Sequence, residues 1–203
     1  QLVRYELPDL KRQVTAGGMR GVYHLAVGDL NGDGEMDLAT TEYHGGKVAW
    51  FEAPSWERHE IGHGLQGASD LVIVDLDRDG DEDVAACGWE VDQVVWYEAP
   101  AWEPHVIDVA LDAAYRLVLM DMDHDGDQDL VASGWEADAI RWYESPGWTP
   151  HILDDELDGA MGITAGDVND DGQPDLVAVG SEEGSVVWYE GPAWVRKTIG
   201  GHL

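Results

Sequence analysis

Short apolar runs, mostly four to six residues long, alternate along this chain with clusters of Asp, Gly, Asn and Pro. Runs such as "LVIV" (71–74) and "DVAAC" (83–87) are β-branched or small, too brief for a helix with a buried face, and bracketed by turn residues. Each therefore predicts a strand. The order of runs recurs every 46 residues, a period that fits a propeller blade or an array unit. Each unit predicts four strands: a before an acidic loop (70–75 in the second unit), then b (82–87), c (93–98) and d (102–107), with Gly and Pro in the turns. No stretch has helical periodicity, so the expected class is all-β. Four full units, about 22–61, 68–107, 114–153 and 160–199, are expected in a single domain over 1–203. Residues 2–15, "LVRYELPDLKRQVT", align one period early with "VAWFEAPSWERHEI" and predict an extra c–d hairpin, a half-blade.

Between strands a and b the chain crowds carboxylates: "DLDRDGDEDV" (75–84) holds six acids in ten residues. Such density is either a solvated acidic turn or a cation cage, and the spacing favours the cage. Acids or amides stand at positions 1, 3, 5, 7 and 9, with Gly at position 6 to turn the chain. The candidate ligand positions are Asp29, Asn31, Asp33, Glu35 and Asp37; Asp75, Asp77, Asp79, Asp81 and Asp83; Asp121, Asp123, Asp125, Asp127 and Asp129; and Asp167, Asn169, Asp171, Gln173 and Asp175. An EF-hand would need Glu at position 12, where Thr40, Ala86, Ala132 and Ala178 stand, and helical flanks. Four strand–loop–strand calcium sites, one per unit, are expected instead.

These loops, the 46-residue period and the four-strand units resemble the FG-GAP or VCBS repeats of integrin α-chain heads, fungal lectins and some bacterial polysaccharide lyases. The resemblance covers essentially the whole chain. It implies a β-propeller in which each repeat is a four-stranded antiparallel blade, strand a lies nearest the axis, and the calcium loop joins a to b. Integrin-type rings resemble seven blades, whereas four units and a half-blade are encoded here. The edges of the half-blade invite strand pairing; a homodimer formed through it, or a chain that is a piece of a larger ring, competes with a closed four-bladed monomer.

Composition narrows the partners. A net charge of −31 argues against nucleic acid, and no apolar run is long enough for membrane insertion. The single Cys87 excludes an intramolecular disulfide. Low-affinity calcium loops fill at extracellular calcium levels, so a secreted or cell-surface location is expected.

Eight of the ten tryptophans recur in register, Trp50, Trp96, Trp142 and Trp188 on strand c and Trp56, Trp102, Trp148 and Trp194 on strand d. They read as packing between blades, and the recurring His59, His105 and His151 read the same way. Trp89 and Trp135 stand apart, in b–c turns where the other units diverge. With strands running alternately up and down, those turns share one end with the d–a connections, opposite the calcium loops. Three columns there also diverge between units: Arg20, Gln66, Asp112, Asp158; Tyr23, Ser69, Tyr115, Met161; and His24, Asp70, Arg116, Gly162. Either drift at exposed loops or a single composite site diversifies such positions.

The composite reading places His24, Asp70, Tyr115 and Arg116 inside an axial mouth, with His44, Trp89, Glu90, Trp135 and Glu136 around its rim. Aromatic platforms beside polar groups suit a carbohydrate. A binding module for a glycan is the expected function. A polysaccharide lyase or sugar dehydratase is the first alternative, with Arg116 neutralising a carboxylate and Tyr115 or His24 as base. An adhesion module that docks a protein partner is the second. No nucleophile elbow, zinc motif or phosphate loop occurs.

Overall fold

A computed structural model of the chain describes residues 2–6, 11–16 and 19–200. Strands β1 (Leu2–Glu6) and β2 (Lys11–Ala16) pair antiparallel, Tyr5 opposite Arg12, and form the predicted half-blade hairpin. Four antiparallel sheets follow, each with its strands in chain order. Blade 1 comprises β3 (Val22–Gly28), β4 (Asp37–Glu42), β5 (Lys47–Glu52) and β6 (Glu57–His63). Blade 2 comprises β7 (Ala68–Val74), β8 (Asp83–Gly88), β9 (Gln93–Glu98) and β10 (Glu103–Asp108). Blade 3 comprises β11 (Ala114–Met120), β12 (Asp129–Gly134), β13 (Ala139–Glu144) and β14 (Thr149–Asp154). Blade 4 comprises β15 (Ala160–Gly166), β16 (Asp175–Gly180), β17 (Ser185–Glu190) and β18 (Val195–Gly200).

The period is kept in the pairing: Leu38 faces Phe51, Val84 faces Tyr97, Leu130 faces Tyr143 and Leu176 faces Tyr189. Strand b is almost wholly buried, which is why it reads as a continuous small-apolar run and not as an alternation. The inner strands pack in sequence, β3 on β7, β7 on β11 and β11 on β15.

Between successive sheets lie three apolar clusters of one design. The aromatic side chain of strand c, Tyr97, Tyr143 or Tyr189, presses onto the preceding blade with small residues of strand b, such as Ala86, Ala132 and Ala178. Each fully buried large side chain contributes about 1.5–3 kcal/mol. Trp102 of blade 2 reaches back to Trp50 of blade 1 at 6.4 Å, and Trp148 to Trp96 at 6.5 Å. Trp194 donates its Nε1–H to the Met122 carbonyl at 2.9 Å. The recurring histidines lie flat on the strand-c tryptophans, His59 on Trp50, His105 on Trp96 and His151 on Trp142, at 4.2–4.5 Å. Each also meets a strand-c glutamate at 2.7–2.9 Å. In blade 4 Lys197 takes that place, with its ammonium 4.8 Å from the Trp188 ring.

Among the described residues, the packing does not run on past the ends of the row. Position 2 of the acidic loop is buried in blades 1 to 3, Leu30 at 4%, Leu76 at 5% and Met122 at 2% exposure, whereas Val168 of blade 4 is 45% exposed. Val179, Val186 and Ile199 of blade 4 are exposed with it. On the opposite side Leu25 of blade 1 is 47% exposed where Leu71 is 1%, and Tyr23 and Val27 are exposed alongside. Phe51 and Ala49 of the same blade are nevertheless fully buried.

Candidate functional site

The antiparallel blades place the acidic loops and the c–d turns at one end of the molecule, and the b–c turns and d–a connections at the other. At the loop end the backbone is wound around its own side chains. Asp29, Asp75 and Asp167 accept the amides of positions 5 and 6 through their two oxygens at 2.9–3.1 Å. Position 3, Asn31, Asp77, Asp123 or Asn169, accepts the position 5 amide, and position 5, Asp33, Asp79, Asp125 or Asp171, accepts that of position 7. These are nested Asx turns. The Gly at position 6 has φ of 84–104°, a conformation that a side chain strains.

Position 9 does something else. Asp83 is fully buried and accepts the Leu76 amide at 3.0 Å and the Ala99 amide at 2.8 Å, tying the loop to the c–d turn. Asp37, Asp129 and Asp175 repeat the clamp in the other blades. Burial pushes the Asp83 carboxyl up to about 6 against those two hydrogen bonds, and Asp37 and Asp129 upward as well.

Positions 1, 3 and 9 converge in the second and third loops. One carboxylate oxygen each from Asp75, Asp77 and Asp83, and from Asp121, Asp123 and Asp129, lie within 4.8 Å of one another. Asp121 Oδ1 is buried with no hydrogen-bond partner, an orphaned anionic atom inside the cluster. Three hard oxygens around one point, with an unsatisfied carboxylate oxygen of Asp121 in the third loop, fit a divalent cation. In the first and fourth loops the third position is an amide, Asn31 or Asn169, whose Nδ2 donates to Asp33 or Asp171. At position 7, Asp127 forms an ion pair with Arg78 of the neighbouring loop.

At the opposite end the inner strands bring together the divergent columns. Asp70, 2% exposed, lies with Oδ1 2.7 Å from His24 Nδ1 and 3.3 Å from Arg116 Nη1, while Oδ2 accepts the Leu117 amide at 2.8 Å. The His24 contact has ion-pair distance without hydrogen-bond alignment. This group staples β3, β7 and β11 together. Tyr23 and Tyr115 meet across the axis with their hydroxyls 2.7 Å apart.

Above them opens a cavity of about 380 Å³, lined by Gly21, Val22, Tyr23, Tyr43, His44, Trp89, Tyr115 and Met161. All four blades contribute. Of the nine expected ligand residues, His44, Trp89 and Tyr115 line this cavity. Trp135 stacks behind Trp89 at 5.1 Å and donates to Ser181 Oγ at 3.0 Å. Glu90 and Glu136 are exposed and outside the lining, and His24, Asp70 and Arg116 are engaged with one another. Tyr115 is held at about 12 by burial and by its bond to Tyr23, far from the value of a base at neutral pH.

Sequence reasoning passed over Tyr43 and did not single out Tyr23 or Met161 from their column. The signal for Tyr43 was present in the register. Tyr43, Trp89, Trp135 and Ser181 occupy one position, and their amides donate to the equivalent carbonyls of Gly21, Gly67, Ala113 and Gly159 at 2.8–3.1 Å. Asp92 and Asp138, close behind, accept the amides of Ala113 and Gly159 at 2.8 Å and lock the turns to the next blade.

Among solved structures, the virginiamycin B lyase of Staphylococcus aureus superposes with a TM-score of 0.66 at 11% identity, over 88% of this chain and 55% of that one. A chain of a nidogen/laminin complex gives 0.62 at 17% identity, over 81% and 60%. The V. cholerae biofilm matrix protein Bap1 gives 0.53 at 18% identity, over 91% and 31%. The chain thus spans little more than half the length of the lyase, and the likeness is one of fold. No curated protein matches it. The FG-GAP-like repeat model matches residues 29–86 and 121–178, two pairs of acidic loops with the blade between them, and covers more than half of the chain. The chain therefore belongs to the FG-GAP-like repeat family.

Proposed function

We propose that this protein is an extracellular, calcium-stabilised propeller module that binds a glycan at the axial end opposite its acidic loops. One observation carries the reading: side chains from four blades, five of them aromatic or imidazole, converge on a single cavity whose scaffold positions repeat and whose lining does not. A cavity of about 380 Å³ lies at the lower end of the range for small-ligand sites, roughly 300–1,000 Å³. Calcium is the cation that suits the loops, because the converging groups are all oxygens and the coordination is built on a pliable loop. Its role is to pin the a–b corner of each blade, which accords with secretion into a calcium-rich medium.

Binding is favoured over the lyase and dehydratase alternatives by the state of the candidate catalytic groups. Arg116 and His24 already face Asp70, and Tyr115 holds its proton up to about pH 12. A protein partner would need an interface of about 800 Å² and roughly 20–30 residues a side, and eight residues line the axial cavity. The exposed apolar faces of blades 1 and 4 are a separate feature, and they support self-association of the chain.

Calorimetric titration of the calcium-loaded protein with a panel of neutral, acidic and amino oligosaccharides tests the site. At least one is expected to bind, with affinity reduced tenfold or more by Trp89→Ala or Tyr115→Ala. Unchanged affinity in both variants would move the site away from the axis.

A further inference from the structure

The walls of the axial cavity include aromatic rings set at angles to one another. Tyr23 and Tyr43 are 5.5 Å apart with planes at 38°, Tyr23 and Tyr115 6.3 Å apart at 72°, and Trp89 and Tyr115 5.3 Å apart at 80°. Rings so arranged surround a volume on several sides, whereas a sugar platform is one flat face. The flat faces of Trp89 and Trp135 are turned toward each other instead, at 27°. The hydrogen-bonding complement is correspondingly thin, since the hydroxyls of Tyr23 and Tyr115 bond each other.

The surrounding charge is one-sided. The chain carries −31, and even four bound divalent ions would leave it strongly negative. Behind the lining, Arg116 is paired with the buried Asp70 and lies 5.4 Å from the Tyr115 ring centre. On the other wall the Glu90 carboxylate acts on Tyr43, whose phenol is raised first by burial, then by Glu90 and Tyr23. Electron-rich ring faces in a negative field, with no cation of their own in the lining, favour a positively charged guest.

We propose that the group received by this pocket is an organic ammonium. On the glycan reading, upon which this inference rests, it is the protonated amine of an amino sugar. The quadrupoles of Tyr23, Tyr43, Trp89 and Tyr115 face the cation, and the sugar ring lies toward His44 and Met161 at the mouth.

The test is calorimetric titration of the calcium-loaded chain with a glucosamine tetramer, with its fully N-acetylated counterpart and with tetramethylammonium. The amine form is expected to bind at least tenfold more tightly than the acetylated one. Trp89→Leu and Tyr43→Leu keep an apolar wall and the net charge while removing the ring, so each is expected to cut that affinity at least fivefold. Either variant suffices if the other unfolds early. Equal affinity for the amine and acetylated tetramers, lost in Trp89→Leu, would overturn the ammonium inference and leave the glycan site standing. Amine binding untouched by both variants would also overturn it, as bulk attraction to an acidic surface. Binding of tetramethylammonium alone, lost in Trp89→Leu, would uphold the ammonium and overturn the amino sugar as its carrier. Failure of all three probes would overturn the ammonium inference, while the glycan site would stand or fall on the wider oligosaccharide panel.

Discussion

Gly80 shows how local the acidic loops are. Its φ of 104° lets its amide turn back onto Asp75 Oδ2 at 3.1 Å, and both partners lie within six residues of sequence. Gly80→Ala is expected to destabilise the protein by about 1–2 kcal/mol, read by urea unfolding, because a side chain at positive φ is strained. The calcium-induced stabilisation of this variant is expected to shrink with it. Such spacing is legible in one dimension. Position 9 was legible only as an acid: that Asp83 clamps the Ala99 amide, sixteen residues away, depends on how strands β8 and β9 fold back. Tyr43 was obscured for a similar reason, since its kinship with Trp89 is one of register and not of residue type.

Pairs of blades are latched by groups that have no motif. Asp108 at the end of β10 accepts from Tyr143 Oη at 2.8 Å and from Arg141 Nη1 at 2.9 Å, both on β13 of the next blade. Burial alone would raise the Asp108 pKa; the hydrogen bonds from Tyr143, the Ala110 amide and Arg141 outweigh it and hold the carboxyl below 3.8. An acid so depressed stabilises the fold above its unfolded pKa and ceases to do so as pH falls through its folded value. Asp108→Asn is expected to cost about 2–3 kcal/mol at neutral pH, the worth of hydrogen bonds to a charged group. The gap from the parent is expected to close below pH 3.8, the ordinary value of this group. A gap independent of pH would mean that the charge is irrelevant to the latch. In blade 1 the equivalent residue is Gly62, where any Cβ would run into Tyr97. The strand period predicted these blades and their tryptophan and histidine columns well, because one packing solution is repeated. It did not anticipate the Asp108 latch or that Lys197, in the place of the histidine, lies over Trp188.

For the molecule as a whole, the proposed calcium would oppose the self-repulsion of the chain. Removing calcium with a chelator is expected to lower the unfolding temperature markedly, since a ligand at a hundred times its Kd stabilises by about 2.7 kcal/mol per site. Added salt is expected to recover part of the loss by screening the −31 charge. An unfolding temperature indifferent to calcium would exclude the proposed structural role of the loops. The exposed faces at Leu25 and Val168 carry the same positions that pack between blades elsewhere, so one copy offers what another lacks. A dimer in calcium is the expected mass by light scattering coupled to size exclusion. A monomer at micromolar concentration would overturn the proposed self-association.

From the sequence alone came the all-β class, the four-stranded blades and the acidic loops, because a repeated chain states each local rule four times and loop geometry is set by neighbours a few residues apart. Only the tertiary structure decided the composition of the axial cavity. His24, Asp70 and Arg116 are drawn into contact with one another, while Tyr23, Tyr43 and Met161 join Trp89 and Tyr115 in the lining. Those groupings join residues about 46 or more apart, and they are fixed by how far each blade rotates from the last, a quantity that no single repeat encodes.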